Sequence, residues 1–166
     1  PGEEWNLGIV DLSANITAPL SHADVLQNLR LPDDTTLPRY LGWGEIEDQL
    51  LVTTKHTVEA LCLPSSSPSS CRNATLFRYD TGYLKGVATI HEQNKFLVAH
   101  KYGKVFKCGF NYSFHEDKDS CEVFAARSSA ADAQEWQDDF TPVAILVVPE
   151  KRMVYVLCGG GSGESE

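Results

Sequence analysis

Apolar residues in this chain fall into short runs that alternate with polar positions and stop at turn residues. The clearest series lies in the middle of the chain, where Val, Ile and Phe concentrate between turns that contain Gly, Asn and Lys. Its four runs are Val87–Ile90, Phe96–His100, Lys104–Gly109 and Cys121–Ala126. Alternating runs of this length, separated by turn residues, predict antiparallel strands joined by tight turns.

The same pattern recurs with cysteines at matching positions. Leu51–Cys62 aligns without a gap with Leu97–Cys108, and the identical pairs are Leu51/Leu97, Val52/Val98, Lys55/Lys101 and Cys62/Cys108. Val143–Cys158 follows as a third copy, so the anchoring cysteines are spaced by 46 and then 50 residues. Four strands in about 40–50 residues, repeated along a chain, are typical of β-propeller blades.

We therefore predict an all-β domain over residues 1–158, a partial β-propeller of four-stranded antiparallel blades, about two and a half to three in number. The units cover about 5–80, 81–126 and an incomplete 140–158, and Trp5–Leu12 is an outer strand of the first. A compact β-barrel or sandwich is the alternative. Residues 159–166 predict a flexible tail or linker. The two short helix candidates are His22–Leu29 and Ala130–Asp138.

Four of the five cysteines flank polar reversals of the chain. Cys62 and Cys71 enclose a Pro- and Ser-rich loop, and Cys108 and Cys121 enclose a longer polar loop. A hairpin brings such ends within the ~4.4–6.8 Å between Cα atoms that a disulfide needs. Four cysteines allow three connectivities, of which we favour the local one. Zinc is the rival interpretation, but it favours closer Cys or His spacings than these.

The fifth cysteine, Cys158, is left without a partner by this pairing. In the first two units the partner follows 9 or 13 residues after the anchoring cysteine. The same count from Cys158 falls just beyond Glu166. We therefore expect a lost partner, a bridge to a second chain or a free thiol.

Three glycosylation sequons indicate an extracellular protein. They begin at Asn15, Asn73 and Asn111, among only six asparagines, where chance would supply about one. Together with disulfides, they predict a secreted protein or the extracellular face of a cell. No apolar run approaches the ~20 residues that a membrane-spanning helix needs, so we expect no transmembrane segment in this chain.

Charge and motifs limit the chemistry. The net charge is −9 and the bases form no cluster, so we expect no nucleic-acid partner. The five histidines show no zinc-protease spacing, and the acidic residues show no EF-hand pattern. We predict no catalytic residue, no metal site and no cofactor.

The repeated turn, the apolar segments Phe96–Ala99 and Lys104–Cys108, and the cysteine-flanked loop together resemble the blades of sema domains. These are the extracellular β-propellers of semaphorins, plexins and the Met and Ron receptors. The resemblance covers about residues 43–160 through blade style and cysteine placement, and a sema domain is longer than this chain. It implies a propeller that binds proteins through its loops and blade edges.

These observations predict an extracellular protein-binding module, the ectodomain of a receptor or ligand, without catalysis. Its partner would be a protein ligand or receptor. One such partner is a second chain that completes the fold through Cys158. Tyr40, Trp43 and Trp136 are candidate interface anchors because large aromatics dominate interface energetics, with core packing as the alternative. The alternative function is a small secreted β-barrel that carries an apolar ligand, or a secreted inhibitor or effector.

Overall fold

The computed structural model of the chain describes residues 6–10, 25–30, 38–46, 48–63, 71–81, 83–112, 121–126 and 141–159. Regular structure in these ranges is β-strand, apart from two single 3-10 turns, and every strand pairing is antiparallel. This confirms the all-β prediction. The chain forms two compact units, residues 1–37 and 38–166.

The described residues of the first unit form one antiparallel hairpin. Strand β1 (Asn6–Val10) pairs with strand β2 (Val25–Arg30), and a bulge lies between Ile9 and Val10. Strand β1 lies within the strand predicted at Trp5–Leu12, but it was predicted as an outer strand of a blade over residues 5–80, whereas it pairs with β2 in a two-stranded sheet of the first compact unit. Strand β2 corrects the helix predicted over His22–Leu29, because pairing with β1 overrides a weak local helix preference. The other helix candidate, Ala130–Asp138, lies outside the described residues.

The second unit contains two four-stranded sheets and a hairpin, each built from consecutive strands. Sheet I consists of β3 (Tyr40–Trp43), β4 (Gln49–Thr53), β5 (Thr57–Cys62) and β6 (Ala74–Arg78). Sheet II consists of β7 (Leu84–Ile90), β8 (Lys95–His100), β9 (Lys104–Gly109) and β10 (Cys121–Ala126). The hairpin consists of β11 (Thr141–Val148) and β12 (Met153–Gly159). The described strands form no closed barrel.

The same kind of turn connects the first and second strands of sheet II and of the hairpin. A 3-10 turn over His91–Gln93 leads to Asn94 at φ 52°, and one over Pro149–Lys151 leads to Arg152 at φ 51°. In both, the left-handed residue donates its backbone N–H to the carbonyl of the first turn residue. In sheet I, Asp48 at φ 62° stands directly before β4. In sheet I, sheet II and the hairpin, the connection between the first two strands therefore ends on a left-handed residue. Strand β12 is thus the second strand of its repeat, as β8 and β4 are of theirs.

This correspondence corrects the alignment of the third unit. The cysteine spacing predicts that Cys158 matches Cys108, which lies on the third strand of sheet II. In the structure Cys158 lies on the second strand of its unit, at the position of His100 on β8. Strands β8 and β9 are both short and apolar, so the apolar pattern did not distinguish them. The prediction therefore depended on the cysteine position, which matched β12 to β9 instead of β8. The count that placed a partner of Cys158 beyond Glu166 therefore loses its basis.

Sheets I and II pack face to face around one apolar core. Leu51, Val58 and Ala60 of sheet I have no exposed surface, and they meet Phe96 and Val98 of sheet II, which are equally buried. Full burial of a valine, leucine or phenylalanine side chain stabilises a fold by ~1.5–3 kcal/mol. This core joins the two sheets into one body.

The first strands of sheet I, sheet II and the hairpin approach one another closely. A Cβ atom on Gly42 of β3 would lie 2.8 Å from the carbonyl oxygen of Val87 on β7. A Cβ atom on Gly86 of β7 would lie 2.6 Å from the Cα atom of Ala144 on β11. Both contacts are with backbone, which cannot rotate away as a side chain can. Strands β3, β7 and β11 therefore stack in order, and glycine is required at each contact.

Two disulfides close the loops between the third and fourth strands. One joins Cys62 to Cys71 and the other joins Cys108 to Cys121, which are the local pairs favoured from the sequence. Cys108 is fully buried in the core, and Cys71 is nearly so. Cys158 is a free, exposed cysteine.

The segment that links the sheets is held by the two lysines that are identical in the repeat. The Nζ atoms of Lys55 and Lys101 lie 4.6 and 5.0 Å from the ring centroid of Tyr83, and the Arg39 guanidinium lies 4.7 Å from it. Backbone N–H groups of Leu84 and Lys101 donate to the carbonyls of Lys55 and Tyr83. The lysines stand in equivalent turns, so their identity in the sequence reflects a shared role in fixing the linker.

A polar contact ties the other end of the two sheets. The Tyr112 hydroxyl donates to Glu45 Oε2 at 2.8 Å and lies 3.2 Å from Oε1 of the buried Gln49. Burial, followed by the bond to Glu45, raises the pKa of Tyr112 to about 12. Tyr112 therefore remains a hydrogen-bond donor at any physiological pH.

Replacement of Gly86 by alanine is expected to destabilise the protein, because the added methyl group collides with the backbone of β11. Overpacking of this kind costs typically ~1–3 kcal/mol. Gly109→Ala is the matched control, since a Cβ there meets nothing within 4 Å and should change stability by less than ~0.5 kcal/mol. Urea unfolding of both variants measures the difference, and equal stability of the two would contradict the strand stacking.

Candidate interaction surface

One face of the β11–β12 hairpin is apolar and open. Three directly opposed cross-strand pairs make up this forward face: Ala144 with Leu157, Leu146 with Tyr155, and Val148 with Met153. Leu146 is 60% exposed, Leu157 64%, Met153 46% and Tyr155 45%. Side chains that are directly opposed across an antiparallel pair lie on the same side of the sheet, so the six form one contiguous surface.

The other face of the hairpin is partly covered. Alternation along the strands places Ile145, Val147, Val154 and Val156 on it, and all four are half-buried. Strand β11 contacts β7, β8 and β9, so this face packs on sheet II. The hairpin therefore buries one face and leaves the forward face open to solvent.

The central position of the forward face, which Tyr155 occupies, is buried in the two complete sheets. The shared turn matches Tyr155 to Leu97 of sheet II and to Leu51 of sheet I. Leu97 and Leu51 have no exposed surface. Leu51 belongs to the core shared with sheet II, and Leu97 lies on the face of sheet II that the hairpin covers. The same apolar position is thus covered twice in the chain and bare once.

A second apolar patch lies on β3. Leu41 is 55% exposed and Trp43 65% exposed, and alternation places both on the face that points away from β7. Trp43 is therefore exposed, as an interface anchor must be, while Tyr40 is half-buried on the opposite face of the strand. Trp136 lies outside the described residues. Leu41 was not among the predicted anchors, although its spacing from Trp43 in Tyr-Leu-Gly-Trp places the two on one face.

A groove of about 470 Å³ lies where the 3-10 turns of sheet II and the hairpin meet. Charged side chains of both signs line it, together with apolar ones; they include His91, Glu92, Lys107, Arg152, Phe124 and Val147. Met153 of the forward face also borders it. The groove therefore extends the forward face toward a mixed, partly charged rim.

The histidines on the strands and turns take structural roles. His56 Nδ1 lies 3.2 Å from the carbonyl oxygen of Tyr79, and His100 Nε2 lies 2.6 Å from that of Thr81. His91 stands on an exposed turn, and His22 and His115 lie outside the described residues. The described ranges contain no group of three or more His, Cys, Asp or Glu side chains that could hold a metal ion.

Cys158 is a poor candidate for a nucleophile. Desolvation raises the pKa of its thiol above the ordinary value of 9.0. The thiolate is the reactive form of cysteine, so a raised pKa lowers the reactive fraction at neutral pH. Its geometry and its pKa give no sign of an activated thiol.

Two of the three sequon asparagines lie on exposed positions. Asn73 and Asn111 are exposed, and Asn15 lies outside the described residues. The Asn73 Oδ1 atom accepts a 2.7 Å hydrogen bond from the backbone N–H of Cys62. The Thr75 hydroxyl of the same sequon donates to Glu59 Oε2 at 2.8 Å. The sequon that begins at Asn73 is thus hydrogen-bonded to β5, next to the loop that the Cys62–Cys71 disulfide closes.

Comparison with known proteins gives no relative for this chain: no protein-family model, no curated protein and no solved structure matches it. In the part of the chain that the structure describes, no helix is long and apolar enough to cross a bilayer. The function must therefore be argued from the surfaces described above.

Protonation of His100 is expected to destabilise the fold. Burial lowers the pKa of His100 below its ordinary value of 6.5, so the native state keeps the imidazole neutral where the unfolded state binds a proton. Stability should fall as the pH drops below about 6.5 and level off below the native pKa. Urea midpoints at pH 7.5 and pH 5.5 measure the loss.

His100→Gln should reduce this pH dependence, since glutamine cannot be protonated. His91→Gln, at an exposed turn, is the control and should retain the wild-type dependence. If His100→Gln and the wild type lost equal stability between the two pH values, another group would be responsible.

Proposed function

We propose that this chain is an extracellular protein-binding module of the sema type, in which repeated β units form part of a propeller. In this proposal the forward face of the hairpin, defined by Leu146, Tyr155 and Leu157 with their neighbours, contacts a protein partner. The module binds and does not catalyse.

The arrangement of the sheets supports a propeller. Sheets I and II each consist of four consecutive antiparallel strands, and each carries its disulfide between the third and fourth strand. Their first strands stack at Gly42 and Gly86, and the hairpin repeats the first two strands of this plan. Propellers are built by radial repetition of four-stranded sheets, which is the arrangement that these features favour.

Two independent features support an extracellular location. The two disulfides persist only in an oxidising compartment. Asn73 and Asn111, which begin two of the sequons, are exposed. Glycan attachment at exposed loop positions is typical of secreted proteins.

The forward face is the observation that carries the binding function. Single exposed apolar side chains are normal on protein surfaces, but this face joins four of them across two strands without a polar interruption: Leu146, Met153, Tyr155 and Leu157. Contiguous apolar surfaces of this kind mark interaction sites in soluble proteins.

The binding function can be tested with a panel of purified extracellular domains. The chain is immobilised, and each domain, together with the chain itself, is passed over it. We expect saturable binding of at least one protein. Tyr155→Glu should weaken that binding about tenfold or more, because it places a charge in the centre of the forward face.

Val123→Glu is the matched control. Val123 is 53% exposed on β10, opposite Phe106 of β9, and belongs to neither the forward face nor the lining of the groove, so this variant should bind as the wild type does. Two results would overturn the proposal: no saturable binding to any protein in the panel, or binding that Tyr155→Glu leaves unchanged.

A further inference from the structure

We infer that the forward face of the hairpin receives strand β3 of a second copy of this chain, so that copies associate head to tail. The inference rests on the proposed binding function and names the partner that this face takes. It follows from an interface that the chain already forms twice.

The first junction joins sheet I to sheet II. The inner strand β7 turns its Val87 toward β3, where Gly42 leaves room for the backbone of Val87. The Thr89 hydroxyl donates to the carbonyl of Trp43, which fixes the two strands against each other. Leu51 of sheet I is buried at this junction.

The second junction joins sheet II to the hairpin in the same way. Gly86 on β7 leaves room for the backbone of Ala144 on β11. Leu97, which corresponds to Leu51, is again fully buried. At each junction the first strand of the later element packs on the sheet before it, on the side that corresponds to the forward face of the hairpin. The side of the first strand that makes this contact is its rear face.

The hairpin offers a third face at the equivalent place, but Leu146 stands there at the position that Gly42 holds in sheet I, so a strand docked on it rests on side chains and not on a glycine. Tyr155 takes the place of Leu51 and Leu97, and Leu146 lies directly opposite it. A partner must present a first strand whose rear face is apolar and exposed. A second copy has such a strand in β3, where Leu41 and Trp43 are both exposed.

The register supports this match. Trp43 stands opposite Leu50, Thr89 opposite Phe96, and Val147 opposite Val154, each at the same distance from its turn. Trp43 therefore corresponds to Thr89 and Val147, and Leu41 corresponds to Val87 and Ile145. The two exposed residues of β3 occupy the positions that contact the preceding unit at both junctions within the chain.

The charge of the chain bears on the strength of this association. The forward face and the pair Leu41 and Trp43 carry no ionisable group apart from the Tyr155 phenol, whereas the whole chain carries −9. Two copies therefore repel each other at long range and attract through apolar contact at short range. Salt screens the repulsion, with a Debye length of about 8 Å at physiological ionic strength, so association should strengthen as salt is added.

Sedimentation equilibrium of the whole chain tests the inference, with Cys158→Ser in every variant so that no intermolecular disulfide contributes. The parent should show a mass that rises with protein concentration and with salt. Leu146→Glu and Trp43→Glu should each weaken self-association about tenfold or more, because each places a carboxylate on one side of the junction. Val123→Glu should leave it unchanged, and circular dichroism should show that all variants are folded.

An equimolar mixture of Leu146→Glu and Trp43→Glu separates head-to-tail from symmetric pairing. The Trp43→Glu copy keeps an intact hairpin, and the Leu146→Glu copy keeps an intact β3. One intact junction can therefore form between them, while the other would oppose two carboxylates. The mixture should form a heterodimer under conditions in which each variant alone is a monomer.

Three results would overturn the inference. The parent could remain a monomer at every concentration and salt. Trp43→Glu could leave self-association unchanged while Leu146→Glu abolishes it, which would mean that two forward faces pair with each other. The mixture could fail to associate. A monomer that still binds an extracellular domain in a Tyr155-dependent manner would overturn this inference and leave the proposed function standing.

Discussion

The close approach of backbones at Gly42 and Gly86 is the constraint on which the arrangement of the second compact unit depends. At these points β3, β7 and β11 are near enough that any side chain larger than hydrogen would meet a carbonyl oxygen or a Cα atom. This spacing lets the side chains of sheets I and II fill one core, because stacked sheets must interdigitate to exclude voids. The glycines thus set the distance, and Phe96, Leu51 and their neighbours fill the space that results.

Polar contacts at the two ends of the sheets then fix their relative orientation. At one end Tyr83 lies between cationic side chains from three different segments. At the other end Tyr112 reaches from the segment after β9 to Glu45 beside sheet I. The apolar core is non-directional, whereas these bonds are directional, so the core provides most of the stability and the two tyrosines help to select one packing.

Much of this fold could be predicted from local pattern. The strands around Val87, Phe96 and Lys104 appear where alternation and turn residues indicated them, and the cysteines flanking each loop pair locally. The identity of Lys55 and Lys101 was visible in the sequence, but the reason for it was not. Their shared target, Tyr83, is close to them only after both sheets have formed.

The third unit shows where local pattern was insufficient. The cysteine spacing predicted that Cys158 matches Cys108, which lies on the third strand of sheet II, whereas Cys158 lies on the second strand of its own repeat. A better signal was present in the turns: Glu92 and Glu150 occupy the same place in the two 3-10 turns, two residues before the left-handed Asn94 and Arg152. The exposure of Leu146 and Tyr155 could not be predicted, because strand alternation says which residues share a face and not whether another sheet covers it.

The disulfides close loops between strands that are neighbours in the sequence, and this has a consequence for the order of folding. Every sheet in the described ranges pairs only consecutive strands, so each hairpin can form before the rest of the chain is in place. Contacts that are local in sequence form early, because little chain entropy is lost in closing them. Cys62 can therefore meet Cys71 as soon as β5 and β6 have paired, while sheet II is still being synthesised. We expect the packing of Gly42 and Gly86 against later strands to follow, because it joins strands that are more distant in the sequence.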